Sequence, residues 1–362
     1  MYQSVHGGDI YNLPLKNGLS GILDYSANIN PLGVPAGVRK ALQKAIDDSV
    51  NYPDPFCRKL RRRLGDSLRI SPAAIYCGNG AADVLFRLLA ALRPKRTLLC
   101  APAFADYEKA ALAAGSKIDY FLLDREQDFR VTPQIVKAIT KRTGMVILCN
   151  PNNPTGLLIS KSLLLETAKR CREFHIPLLV DECFLEFLPD WGKYSLLDAL
   201  EEFPNLILLK AFTKIYAIPG VRLGYCLTAD AALIERLYEN GQDWNVSVLA
   251  QAAGIAALEE KAYLTASREL IARERAYMLA QLRLIGFTVW EGAANYLFLY
   301  SNRGIPWAEA LKKEGILIRD CSNYQGLGPG YFRVAVKTRR DNRRLIKYMK
   351  EIVKNVLING ID

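Results

Sequence analysis

Seven short apolar runs recur between residues 75 and 228, each separated from the next by a stretch that can form a helix. They read IYCG, TLLCA, DYFLL, MVILCN, PLLVD, LILLK and LGYCLT. Little polar alternation interrupts them, so these strands are expected to be covered on both faces, which is the habit of a mainly parallel sheet. The intervening segments support this. GAADVLFRLLAAL and SKSLLLETAKRCREF carry helical apolar spacing, and TPQIVKAI opens with Thr132 at the cap position and Pro133 in the first turn. The rhythm predicts an α/β domain with a seven-stranded sheet.

Beyond about residue 230 the pattern changes. A long charged helix, AYLTASRELIARERAYMLAQLRLIG, leads into strands FTVW, YLFLY, ILIRD and YFRVAV with helices among and after them. The expected division is an N-terminal arm over 1–40, a large domain over 41–232 and a smaller α+β domain over 233–362. The arm is rich in Gly, Asn and Pro and is expected to contribute to the small domain and to the site.

A chain of 362 residues that is 50% hydrophobic has ample material for such cores. No apolar run is long enough to span a bilayer, and MYQSVHGGD lacks the features of a signal peptide. A cytoplasmic protein with no membrane partner is expected. The eight cysteines are scattered without a Cys-x-x-Cys, and the two histidines, His6 and His175, lie far apart. Neither pattern supports a metal site, and His175 reads as structural. The net charge of +11 suits anionic partners. Clusters such as RKLRRRLG look like solvated helix faces, and no nucleic-acid motif accompanies them, so a small phosphorylated ligand is preferred over nucleic acid.

In open α/β sheets the ligand lies at the carboxyl ends of the strands. Four groups fall there. Gly78-Asn79-Gly80 opens a helix, where the N–H groups from Gly80 through Ala81 to Ala82 can hold a phosphate. Asn150 to Gly156 form the rigid loop NPNNPTG, from which Asn153 projects an amide. Asp181 ends PLLVD, and Lys214 follows LILLK. A lysine amine with a carboxylate, an amide and an anion-binding turn within reach is what pyridoxal 5'-phosphate requires. Lys214 would bind the cofactor aldehyde and Asp181 would keep the ring nitrogen protonated. Asn153 would donate to the phenolic oxygen, and Arg222 would join the phosphate cup.

The order GNGAAD, NPNNPTG, DECF, FTKIYAIPGVRLGY, YFRVAV resembles the fold-type I, aspartate-aminotransferase-like family of pyridoxal phosphate enzymes, over almost the whole chain. The resemblance implies that Phe104 stacks on the cofactor ring and that Thr213 adds a hydroxyl to its phosphate. It implies a homodimer in which Tyr52 reaches the partner's site, and a substrate carboxylate gripped by Arg333. Where many relatives carry DEAY, this chain has Phe184 in place of the tyrosine, so Asn153 would serve the phenolic oxygen alone.

Two subfamilies share these motifs, the histidinol-phosphate aminotransferases and the threonine-phosphate decarboxylases. HGGDIYNLP, LDYSANINPLG and GILIRDCSNYQGLG resemble the second. Gly7 and Gly8 can close backbone N–H groups on a phosphate, and His6 can add a donor. Asn30 and Arg319 complete the substrate pocket by resemblance. The implied activity is decarboxylation of a phosphorylated amino acid, threonine phosphate or serine phosphate, with histidinol-phosphate transamination as the alternative.

Overall fold

The computed structural model describes residues 6–11 and 21–359. Strand β1 (Leu23–Asp24) precedes a seven-stranded sheet made of β2 (Ile75–Gly78), β3 (Arg96–Ala101), β4 (Lys117–Leu122), β5 (Met145–Cys149), β6 (Leu178–Asp181), β7 (Leu206–Ala211) and β8 (Gly224–Leu227). Their order across the sheet is β2-β8-β7-β6-β5-β3-β4. Only β8 runs against the others, pairing antiparallel with both β2 and β7. Every residue of β5, β6 and β7 is buried, which explains why these segments read as unbroken apolar runs. Helices Ala81–Leu92 and Lys161–Glu173 supply the cover.

The parallel register sets Cys149 beside Asp181 and Asp181 beside Leu209. Three strand ends therefore stop side by side, and the loops that leave them open onto one space. The reversal at β8 brings the chain back to the same rim, where Gly224 pairs with both Gly78 and Ala211.

The second body is a four-stranded antiparallel sheet in the order β12-β13-β10-β9, built from β9 (Thr288–Trp290), β10 (Tyr296–Tyr300), β12 (Arg319–Asp320) and β13 (Tyr331–Ala335). The helices Lys261–Ile285 and Arg339–Asn359 pack against each other beside it. Strand β11 (Ile316–Leu317) stands apart from that sheet and pairs in parallel with β1. The segment preceding the large sheet is thereby tied to the smaller body: Tyr25 donates to the Leu317 carbonyl, and Ala335 donates to that of Tyr25.

Two local expectations need correction. ILIRD is two short strands, because it leaves β1 at Leu317 and joins β13 at Arg319. The helix expected at Thr132 begins at Gln134, with Pro133 itself at the cap. His175 lies exposed just beyond the Lys161–Glu173 helix in a left-handed conformation, away from the strand ends.

Candidate active site

A cavity of about 280 Å3 opens where the strand ends meet the smaller body. Lys214 reaches it from a single helical turn, Phe212–Ile215, that continues directly from β7. Burial drives its amine down to about 8, and the neighbouring Arg333 and Arg222 charges push the same way. A lysine with that property is half uncharged near pH 8, which is what a nucleophilic amine needs. Capture of pyridoxal phosphate by the cofactor-free protein, followed as visible absorbance, is thus expected to accelerate with rising pH and level off above about 8. A rise continuing to the ordinary lysine range would show that Lys214 is not the amine involved.

Asp181 ends β6 at the cavity floor. Its Oδ2 accepts from the Tyr107 hydroxyl at 2.6 Å and its Oδ1 from the Cys183 N–H at 2.9 Å. Burial raises its carboxyl above the ordinary range, and both hydrogen bonds oppose that rise. Tyr107 carried no sequence signal beyond standing one helical turn after Phe104, whose half-buried ring meets it edge-on at 5.6 Å.

The anion cup is built by close approach. Gly80 has φ +88°, and a Cβ there would stand 2.6 Å from Arg222 Nη2; a Cβ on Gly224 would meet the Ala81 nitrogen at 2.3 Å. The first turn of the Ala81–Leu92 helix thus lies flush against the arginine and the reversed strand. Ala81, Ala82, Thr213 and Arg222 line the cavity.

Arg333 stands on β13, 6% exposed. Its Nη1 donates to Asn153 Oδ1 at 2.5 Å and its Nη2 to the Ser26 carbonyl at 2.6 Å. With that oxygen engaged, Asn153 turns its NH2 to the role of donor. Phe184 packs edge-on against Tyr296 at 5.1 Å and adds no hydroxyl to the cavity.

The arm also contributes to the wall. His6 and Gly7 line the cavity, and Gly8 donates its N–H to Ser26 Oγ at 2.7 Å. His6 Nε2 lies 2.9 Å from Asp106 Oδ1, with its ring 5.3 Å from that of Phe104. Arg319 also lines the cavity, beside Tyr324. Ser26, Asn28, Asp106 and Tyr324 also line the cavity; they belong to segments singled out in the sequence for other residues, Asn30, Phe104 and Arg319.

Asn30 stands elsewhere than expected. Asn30 is not part of the pocket wall: its Nδ2 donates to the Ile215 carbonyl and to Ser267 Oγ, both at 2.7 Å, and its Oδ1 accepts from the Leu32 N–H. Its own N–H bonds the Lys214 carbonyl. Asn30 therefore braces the lysine turn from behind. Tyr52 is 79% exposed and stacks on Trp244 at 4.5 Å, outside the cavity.

The arrangement accommodates pyridoxal phosphate. Two buried polar atoms of cavity residues, Arg333 Nε and Asn28 Oδ1, have no partner, so hydrogen-bonding capacity remains for a polar ligand. A softened amine, a braced carboxylate, an aromatic wall and a helix N-terminus paired with arginine are the donor set this cofactor takes. Bound there, it would serve as an electron sink for a carbanion at the substrate α-carbon. Among the described residues no cluster suited to a metal ion is present.

Fold and site together define a pyridoxal phosphate enzyme of fold type I. Residues 20–349 match the family described as aminotransferase class I and II, and the chain belongs to that family. It is 36% identical to the threonine-phosphate decarboxylase of Salmonella typhimurium, over 98% of each chain. It superposes with a TM-score of 0.87 on the histidinol-phosphate aminotransferase of Clostridium acetobutylicum, at 29% identity, covering 92% of this chain and all of the other. The L-threonine-O-3-phosphate decarboxylase of Porphyromonas gingivalis gives 0.82 at 24% identity, covering 92% and 100%, a likeness of fold.

Proposed function

We propose that this chain is a pyridoxal phosphate-dependent decarboxylase. Its substrate would be L-threonine O-3-phosphate and its products (R)-1-aminopropan-2-yl phosphate and CO2, the former serving cobalamin assembly. The observation that carries this reading is the presence of His6, Gly7 and Arg319 in the same cavity as Lys214 and Arg333. One cavity then offers separate grips for a carboxylate and for a phosphate. Similarity along almost the full chain to a threonine-phosphate decarboxylase supports it. Serine phosphate, one methyl smaller, is the second candidate substrate.

Arg333 would take the substrate carboxylate with its forked guanidinium, held in place by Asn153 and the Ser26 carbonyl. His6, the Gly7 and Gly8 backbone and Arg319 would take the phosphate. Fixing both ends sets the torsion about the α-carbon, so the carboxylate bond can lie perpendicular to the cofactor ring. Lys214, in its protonated ammonium form, would deliver the proton that replaces CO2 and be left as the neutral amine.

The working unit would be a homodimer in the cytoplasm, with the exposed Tyr52 directed to the partner's site. The domain division at about residues 40 and 232 belongs to the same reading. The described residues contain no helix long and apolar enough to cross a membrane.

Histidinol-phosphate transamination is the competing activity, favoured by the TM-score of 0.87 to such an aminotransferase. Product analysis separates the two. CO2 released from threonine phosphate without a keto acid supports decarboxylation; glutamate formed from histidinol phosphate and 2-oxoglutarate replaces it.

Deletion of residues 1–9 tests the arm. Charge-assisted hydrogen bonds contribute roughly 1.5–3 kcal/mol each. Losing two is expected to lower kcat/KM for threonine phosphate about a hundredfold or more. The cofactor's visible band should be unchanged, since Lys214, Asp181 and Arg222 lie elsewhere. Undiminished turnover of threonine phosphate by the truncated protein would remove the arm from the site.

A further inference from the structure

Asp106 runs against the character of its surroundings. The cavity also presents Lys214, Arg222, Arg319 and Arg333, and a carboxylate on the wall of an anion site opposes the ligand unless something absorbs its charge. A first-turn acid on the Ala105–Ala113 helix has an ordinary explanation in the helix dipole. Geometry gives Asp106 a different partner. Its Oδ1 meets His6 Nε2 at 2.9 Å, with the aspartate side chain 13% exposed and the histidine 32%. The imidazole also leans on Phe104 at 5.3 Å, tilted by 41°.

The arm is therefore held at two points of the cavity wall. Gly8 is fixed to Ser26, next to the β1 segment that joins the smaller body, and His6 is fixed to a helix of the large sheet. Gly7 between them runs so close to Ser26 that a Cβ would stand 2.4 Å from its carbonyl oxygen. Without the Asp106 contact, the His6 ring would lose the carboxylate that orients it.

We propose that Asp106 is a positioning residue that holds His6 in the cavity and thereby fastens the arm across it, acting on phosphate recognition through the imidazole. This rests on the reading that the cavity takes a phosphorylated amino acid. Asp106 is not assigned a contact with substrate. Its charge is directed to the arm, and removing it disturbs the phosphate end only.

The test is a double-mutant cycle of Asp106→Asn and His6→Ala, in the holoenzyme with threonine phosphate. Asp106→Asn is expected to raise KM about tenfold, the size of one charge-assisted hydrogen bond, with a much smaller change in kcat and an unaltered visible band. In the His6→Ala background the same substitution should add less than about a twofold effect. An equal loss in both backgrounds would make Asp106 a helix-stabilising acid and overturn the proposal, as would an unchanged or lowered KM. A second readout needs no substrate. The chain has only two histidines, so the His6 ring resonance is identified by its absence in His6→Ala. In Asp106→Asn that signal should sharpen and move toward the free-histidine position while that of His175 stays put. An unmoved His6 signal overturns the proposal whichever reaction the enzyme performs. A moved signal without threonine-phosphate turnover would sink the substrate assignment and leave the clasp standing.

Discussion

Replacing Lys214 with alanine is expected to abolish the borohydride-sensitive visible band of the cofactor-loaded protein and to lower turnover by at least about a thousandfold. The fold should survive. Asn30 braces this turn through the carbonyls of Lys214 and Ile215, which the substitution leaves in place. Removing the amine also relieves its repulsion from Arg333 and Arg222, the charges that help lower its proton affinity. The melting temperature of the cofactor-free protein should therefore not fall. Absorbance, turnover and thermal melting together decide the matter, and near-normal turnover would discard the proposed chemistry.

Asp181→Asn is the second large effect. An amide cannot keep the cofactor ring nitrogen protonated, and it meets two donors, the Tyr107 hydroxyl and the Cys183 N–H, with a single oxygen. Loss of a preorganised electrostatic partner of this kind lowers kcat by about 10²–10³. Cofactor should still bind, more weakly, and the products should be unchanged in kind. Activity close to that of the unaltered enzyme would reduce Asp181 to a brace at a strand end. Tyr107→Phe removes one of the two donors and should give a milder defect in the same direction.

The large sheet was legible in the sequence because burial on both faces removes polar residues from the strands. The direction of β8 was not, because GYCL reads alike either way and its reversal depends on where the preceding turn leaves it. Lys214 and Asp181 stood out as charges where apolar strands end. Lys210, four residues before Lys214, is a charge in the same run with a different task. It is fully buried and lies 3.2 Å from both Glu182 and Glu186, a pairing that makes its burial tolerable. Spacing alone does not separate two such lysines. Asn30 was misplaced because resemblance gives a residue's position along the chain but not the side on which its amide finds partners. Tyr107, Asp106 and Ser26 join the site through contacts 74, 100 and 307 residues away in sequence, to Asp181, His6 and Arg333. No local pattern announces contacts of that span.

The flush contact at Gly80 and Gly224 has a consequence for how this protein fails. At Gly224 backbone meets the backbone of Gly80 and Ala81 with no side chain between them to yield. A substitution that swells the core beneath β2 or β8 cannot be absorbed by a rotamer change at the rim. It must instead shift the Ala81 N–H relative to Arg222, which alters the cup before it unravels the sheet. Damage accumulated far from the cavity should therefore surface first as leakage of cofactor from a chain that remains folded. Variants of this kind would be rescued by excess pyridoxal phosphate rather than by lower temperature.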